Sequence, residues 1–128
     1  LYMMDKESGR FVSIEQHLFT EFDDVVIGKG IDLVTVGRFD RMNLLASSEN
    51  RNFYIYDNNR KSVIESGELN FIPLDALGSS DGRQAYLASS DSAEVAVIDL
   101  EEQEVSYIPA VNGRIGAFTI GLSNNVCH

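Results

Sequence analysis

Apolar residues in this chain fall into short runs set between polar turns, and the runs return at a fixed distance. Leu45 to Asp57 reads LASSENRNFYIYD, and Leu87 to Asp99 reads LASSDSAEVAVID. The two stretches lie 42 residues apart and align without a gap. Leu, Ala, Ser, Ser and the closing Asp are identical, and Phe53, Ile55 and Tyr56 match Val95, Val97 and Ile98. No window shows sustained helical periodicity, so the runs read as strands. A fixed period near this length is the mark of a repeat architecture.

The smallest repeated element is a hairpin: an apolar strand, an Asp, a short polar turn and a second β-rich strand. It reads at Leu1–Ile14, with Asp5 at the turn, at Phe53–Glu65 with Asp57, and at Val95–Ile108 with Asp99. An Asp at a strand end hydrogen-bonds the backbone of its own turn, which accounts for all three. A second element lies upstream. Val36-Gly37, Leu77-Gly78 and Ile120-Gly121 each close an apolar run before a polar turn, at spacings of 41 and 43. With the strands at Asn43–Ser47 and Gln84–Ser89, the unit is four short strands in about 42 residues. Residues 15–29 break this spacing. Asp5 to Asp57 spans 52 residues, ten more than the other repeat, so the segment reads as an insertion. It is either a long loop or an extra edge strand ending in Val25-Val26-Ile27.

Charge narrows the partners. Lys and Arg total 10 against 20 Asp and Glu, for a net charge of −10. A nucleic-acid backbone is recognised by clustered basic residues, so no nucleic-acid partner is expected. An acidic surface suits cationic partners or metal ions. Cys127 is the sole cysteine, so no intrachain disulfide forms. No apolar run approaches the ~18 residues of a membrane span. The chain begins at Leu1 without a signal sequence and ends inside a strand pattern, which reads as a processed or cut chain.

The text Asp81-Gly82-Arg83-Gln84-Ala85-Tyr86-Leu87-Ala88, followed by Val95-Ala96-Val97-Ile98-Asp99, resembles the YVTN-type repeat of WD40-like β-propellers. The resemblance covers residues 74–121 best and 36–73 less well. In residues 1–35 only the hairpin is recognisable. The middle repeat has Phe39-Asp40-Arg41-Met42 in place of the Asp-Gly turn, and the Trp-Asp mark of WD40 repeats is missing. The resemblance implies an all-β fold of β-propeller blades, each of four antiparallel strands, about three in this chain. The expected division is residues 1–30 a partial blade plus the insertion, 31–70 a blade, 71–111 a blade, and 112–128 the start of another. Strand counting places the chain's opening at the third and fourth strands of its first blade. Three blades fall short of the 4–8 or so of a closed ring. A protein partner, a second copy or the rest of a longer propeller is expected to complete it. YVTN-like propellers occur in extracytoplasmic and cell-surface proteins, and the resemblance favours that localisation, which nothing else in the sequence sets.

Candidate chemistry is sparse. His17 and His128 are the only histidines and no G-x-S-x-G occurs, so a nucleophilic triad has no base in place. The insertion offers His17, Phe19, Phe22, Asp23 and Asp24 as a binding loop. Asp32, Asp75 and Arg114 stand at the starts of the inner strands, where a propeller channel would be lined. Cys127-His128 is the second half of a C-x-x-C-H haem site whose first position holds Asn124. Covalent haem at Cys127 and a calcium ion on the acidic pairs are the cofactor options. The reading these residues favour is a non-catalytic propeller scaffold or binding module. The alternative is a propeller subunit of an extracytoplasmic oxidoreductase, quinoprotein or haem-linked, or a lactonase-like enzyme.

Overall fold

A computed structural model describes residues 1–14, 21–37 and 40–110. They form eleven strands in three antiparallel sheets. The first sheet holds β1 (Tyr2–Asp5), β2 (Arg10–Ile14) and β3 (Glu21–Val26). The second holds β4 (Leu33–Val36), β5 (Met42–Ala46), β6 (Asn52–Asp57) and β7 (Ser62–Glu68). The third holds β8 (Asp75–Gly78), β9 (Gln84–Ala88), β10 (Glu94–Asp99) and β11 (Glu104–Pro109). Each sheet is a meander in which every strand pairs with its neighbour in sequence. No helix is long and apolar enough to cross a membrane among the described residues.

The middle sheet is buried on both faces. All five residues of β5 are buried. Successive side chains of a strand point to opposite sides. Met42, Leu44 and Ala46 therefore pack into a cluster with Ala85, Leu87, Ala96 and Ile98 of the third sheet. Leu45 packs the other way, with Phe11 of the first sheet and Tyr56. Phe11 and Tyr56 meet at 5.0 Å between ring centroids, and Tyr2 stacks on Phe11 at 5.8 Å. The middle sheet is thus sandwiched, which is what an apolar sheet needs when neither side meets water.

The second and third sheets are related by the same constant step at every strand. Leu33, Met42, Asn52 and Ser62 open the strands of one, and Asp75, Gln84, Glu94 and Glu104 open those of the other. The first sheet joins the same series. Its strands open at Tyr2, Arg10 and Glu21, about one step before Met42, Asn52 and Ser62 where β5, β6 and β7 open. They also run the same way. The Tyr2 hydroxyl, where β1 begins, donates to the carbonyl of Asp40 beside the start of β5. The turn after β1 meets the turn after β5, through Lys6 and Glu49. The first sheet therefore supplies the second, third and fourth strands of a four-stranded unit, not the third and fourth. Glu21–Val26 takes the edge-strand option, paired to β2. The apparent ten-residue excess came from matching Asp5 to Asp57. Both cap strand-end turns, but they lie on opposite rims of the stack.

Two tight points hold the sheets at this spacing. Gly78 sits where a Cβ would meet the carbonyl oxygen of Val36 at 3.1 Å, so β8 approaches β4 closely. Gly9, in the β1–β2 turn, has φ +73° and lies against the backbone of Gly28 and Lys29. The glycines that closed apolar runs in sequence are not equivalent. The N–H of Gly37 donates to Met42 and that of Ser79 to Gln84. Gly37 therefore corresponds to Ser79, and Val36 to Gly78.

Candidate functional site

The polar side chains that bond turns and sheet junctions gather on the two rims of the stack. One rim carries the β1–β2, β5–β6 and β9–β10 turns and the leads into β4 and β8. The β5–β6 and β9–β10 turns are built alike. The Glu49 N–H donates to Ser47 Oγ and the Asp91 N–H to Ser89 Oγ, at 3.1 and 3.2 Å. Both serines are buried.

Where the first and second sheets meet on this rim, Lys6 Nζ lies 2.9 Å from Asp32 and 2.8 Å from Glu49. Asp32 also accepts the N–H of Ser48 at 2.7 Å and the Ser48 hydroxyl. Hydrogen bonds to Glu49 and then Asp32 hold the Lys6 ammonium charged well beyond its ordinary range. Burial alone would push the Asp32 carboxyl up. The Ser48 hydroxyl, Lys6 and the Ser48 N–H outweigh it and hold Asp32 below its usual value. The arrangement staples two sheets.

Replacing Asp32 by Ala strands the Ser48 N–H and hydroxyl, leaves Lys6 with Glu49 alone, and is expected to cost about 2 kcal/mol at neutral pH. Because the folded pKa is depressed, this stabilisation is present above the unfolded value near ~4 and lost as pH falls through the folded one. Urea unfolding of both proteins at pH 7 and pH 3 checks it. The gap between them should narrow at the lower pH, and a gap that stays constant would refute the staple.

The opposite rim carries strand-end carboxylates that bind their own turns. Asp57 Oδ1 accepts the N–H groups of Asn59 and Arg60, and Asp99 Oδ1 those of Glu101 and Glu102. The Glu102 N–H foremost, against partial burial, then Arg83, hold the Asp99 carboxyl below its usual range. Asp5 does the same work on the first rim, accepting the Glu7 N–H and the Ser8 hydroxyl. Lys61 and Gln103 share one turn position and one left-handed conformation, with φ 55° and 59°.

The structure scatters the residues singled out in sequence. Asp32 is in the staple. Asp75, at the start of β8, bonds the N–H of Ala76 and occupies a different register position. Asp32 and Leu74 are the equivalent pair, since their N–H groups donate to Ala46 and Ala88. Asp24 forms a bidentate pair with Arg10 across β2 and β3. Phe22 and Asp23 lie within β3. His17, Phe19, Arg114, Cys127 and His128 lie outside the described residues. Among the described residues no three His, Cys, Asp or Glu gather as metal ligands do. Sequence reasoning missed Lys6 and Ser48. The signal was there in the buried-turn motif Ser47-Ser48, but its inter-sheet partner lies far along the chain.

No family model and no curated relative matches the sequence. Solved structures do match. A hydrazine synthase of Kuenenia stuttgartiensis superposes with a TM-score of 0.75 at 16% identity, over 88% of this chain and 33% of that one. The dihydro-heme d1 dehydrogenase NirN gives 0.70 at 14%, over 88% and 25%. The propeller domain of Cps50 (Swd1) from Myceliophteria thermophila gives 0.62 at 13%, over 84% and 37%. The fold is that of a β-propeller. Its three sheets are three blades, with the stapled rim joining the first to the second. The chain spans about a third of the solved chains it matches.

Proposed function

We propose that this chain is a non-catalytic propeller segment of the YVTN or WD40-like type, working as a binding and assembly scaffold within a larger ring. The observation that carries this reading is where the polar side chains go. The carboxylates of Asp5, Asp24, Asp32, Asp57 and Asp99 are engaged in turns, in the staple or in ion pairs, which leaves the remaining rim positions and the outer faces for contact. The outward side of the first blade presents Met3 and Val26, the latter 72% exposed, and the third presents Ile108. Apolar sheet faces of this kind call for neighbouring blades. Size-exclusion chromatography with light scattering on the isolated chain tests the reading. Self-association into soluble oligomers is expected, and a well-folded monomer of 14.2 kDa would contradict it.

A second reading is an enzyme-associated propeller, motivated by the two matched structures whose names denote enzymes. An absorption spectrum decides between them. A Soret band that survives acid–acetone extraction would favour haem held at Cys127, and its absence leaves the scaffold ahead.

A further inference from the structure

The two blade junctions on the stapled rim are built from equivalent positions but are not filled alike. At the first junction Asp32 receives the N–H and hydroxyl of Ser48, and Lys6 bridges Asp32 and Glu49. One repeat further on, Ser90 and Asp91 take the places of Ser48 and Glu49, in a turn with the same internal hydrogen bond. Leu74 takes the place of Asp32, by the matching bonds to Ala46 and Ala88. No lysine stands there. Neither the Ser90 hydroxyl nor the Asp91 carboxylate has a partner among the described residues. Leu74 is 51% exposed and Ile72, two residues earlier, 40%.

We propose that this notch, formed by Ile72, Leu74, Ser90 and Asp91, docks a basic side chain of a protein partner, flanked by apolar residues in an extended segment. The first junction shows the geometry at work in the same molecule: a lysine entering between turns and ending on the carboxylate at the Glu49 position. In the second junction the ammonium must come from elsewhere, and Asp91 is its acceptor. The exposed Ile72 and Leu74 give the aliphatic stem and its neighbours an apolar seat, as lysine stems take. The net charge of −10 favours approach of a cationic segment. An acidic segment would meet Asp91 as a like charge.

This inference rests on the scaffold reading and names the partner chemistry for one face of it. The test is an NMR titration of the full 128-residue chain with the end-blocked peptide Gly-Val-Lys-Val-Gly and its Lys-to-Glu counterpart. The lysine peptide is expected to shift the amide signals of Leu74, Ser90 and Asp91, and the glutamate peptide to leave them still. In Asp91→Asn the dissociation constant should rise about fivefold, the scale of an exposed ion pair, and Leu74→Ser should also weaken it. Both changes lie on the surface, so the remaining spectrum reports that the fold is intact. Shifts that arise elsewhere, that persist unchanged in Asp91→Asn, or that the glutamate peptide reproduces would overturn the notch. Those outcomes leave the scaffold reading standing, since that reading falls by light scattering or by a covalent haem spectrum.

Discussion

Replacing Gly9 by Ala is expected to cost about 3 kcal/mol, a large share of the net stability of a domain this size. Two costs add. The residue has φ +73°, where an L side chain costs about 1–2 kcal/mol. A Cβ there would also sit 2.5 Å from the carbonyl carbon of Gly28 and 2.8 Å from the Lys29 nitrogen. Those are backbone atoms, so they cannot swing aside as a side-chain tip would. The carbonyl of Gly9 accepts the N–H of Ile27, so shifting the lead into β4 also breaks that bond. Urea unfolding followed by far-ultraviolet circular dichroism measures the loss. A midpoint within error of the parent protein would show that the turn and the lead are not in contact.

Leu44→Ala and Leu45→Ala should each cost about 3 kcal/mol, although the residues are adjacent. In a sheet with one wet side, one of two neighbours faces water and its truncation is nearly silent. Here Leu44 is 1% and Leu45 0% exposed, one packed on the third blade and the other on the first. They share no cluster, so the double variant should lose close to the sum of the two. Denaturant unfolding of the three variants checks this. A silent member of the pair would mean that one face of the middle blade is open.

The repeat, the hairpins and the four-strand unit were legible in sequence because one constant step governs both packing and pattern. The errors came from spacings that missed this step by one. Gly37 and Gly78, matched as the closers of apolar runs, fall one short of it and are not equivalent in the sheets. A residue type repeated off-register is a coincidence that only the hydrogen-bond ladder exposes. Asp5 misled for another reason. An Asp that closes a strand-end turn has the same sequence signature on either rim, so it does not tell which end of a strand pair it caps. Asp32 was selected for its place at the start of an inner strand, and its partners Lys6 and Ser48 stand 26 and 16 residues away, beyond what local spacing reveals.

The two-sided burial of the middle blade also bears on how this chain can diverge. Within its strands a new side chain must satisfy a neighbouring blade before it can serve anything else. The turns answer to fewer masters. Between the second and third blades the LASS stretch and the strand-closing Asp are kept, while the sequence that follows LASS changes from Glu-Asn-Arg-Asn to Asp-Ser-Ala-Glu. The exchange of Asp32 for Leu74 happened in a lead, at a rim, with no disturbance of the ladder beside it. Novelty in such a molecule accumulates at the ends of its strands, and two blades of one backbone can come to recognise different things.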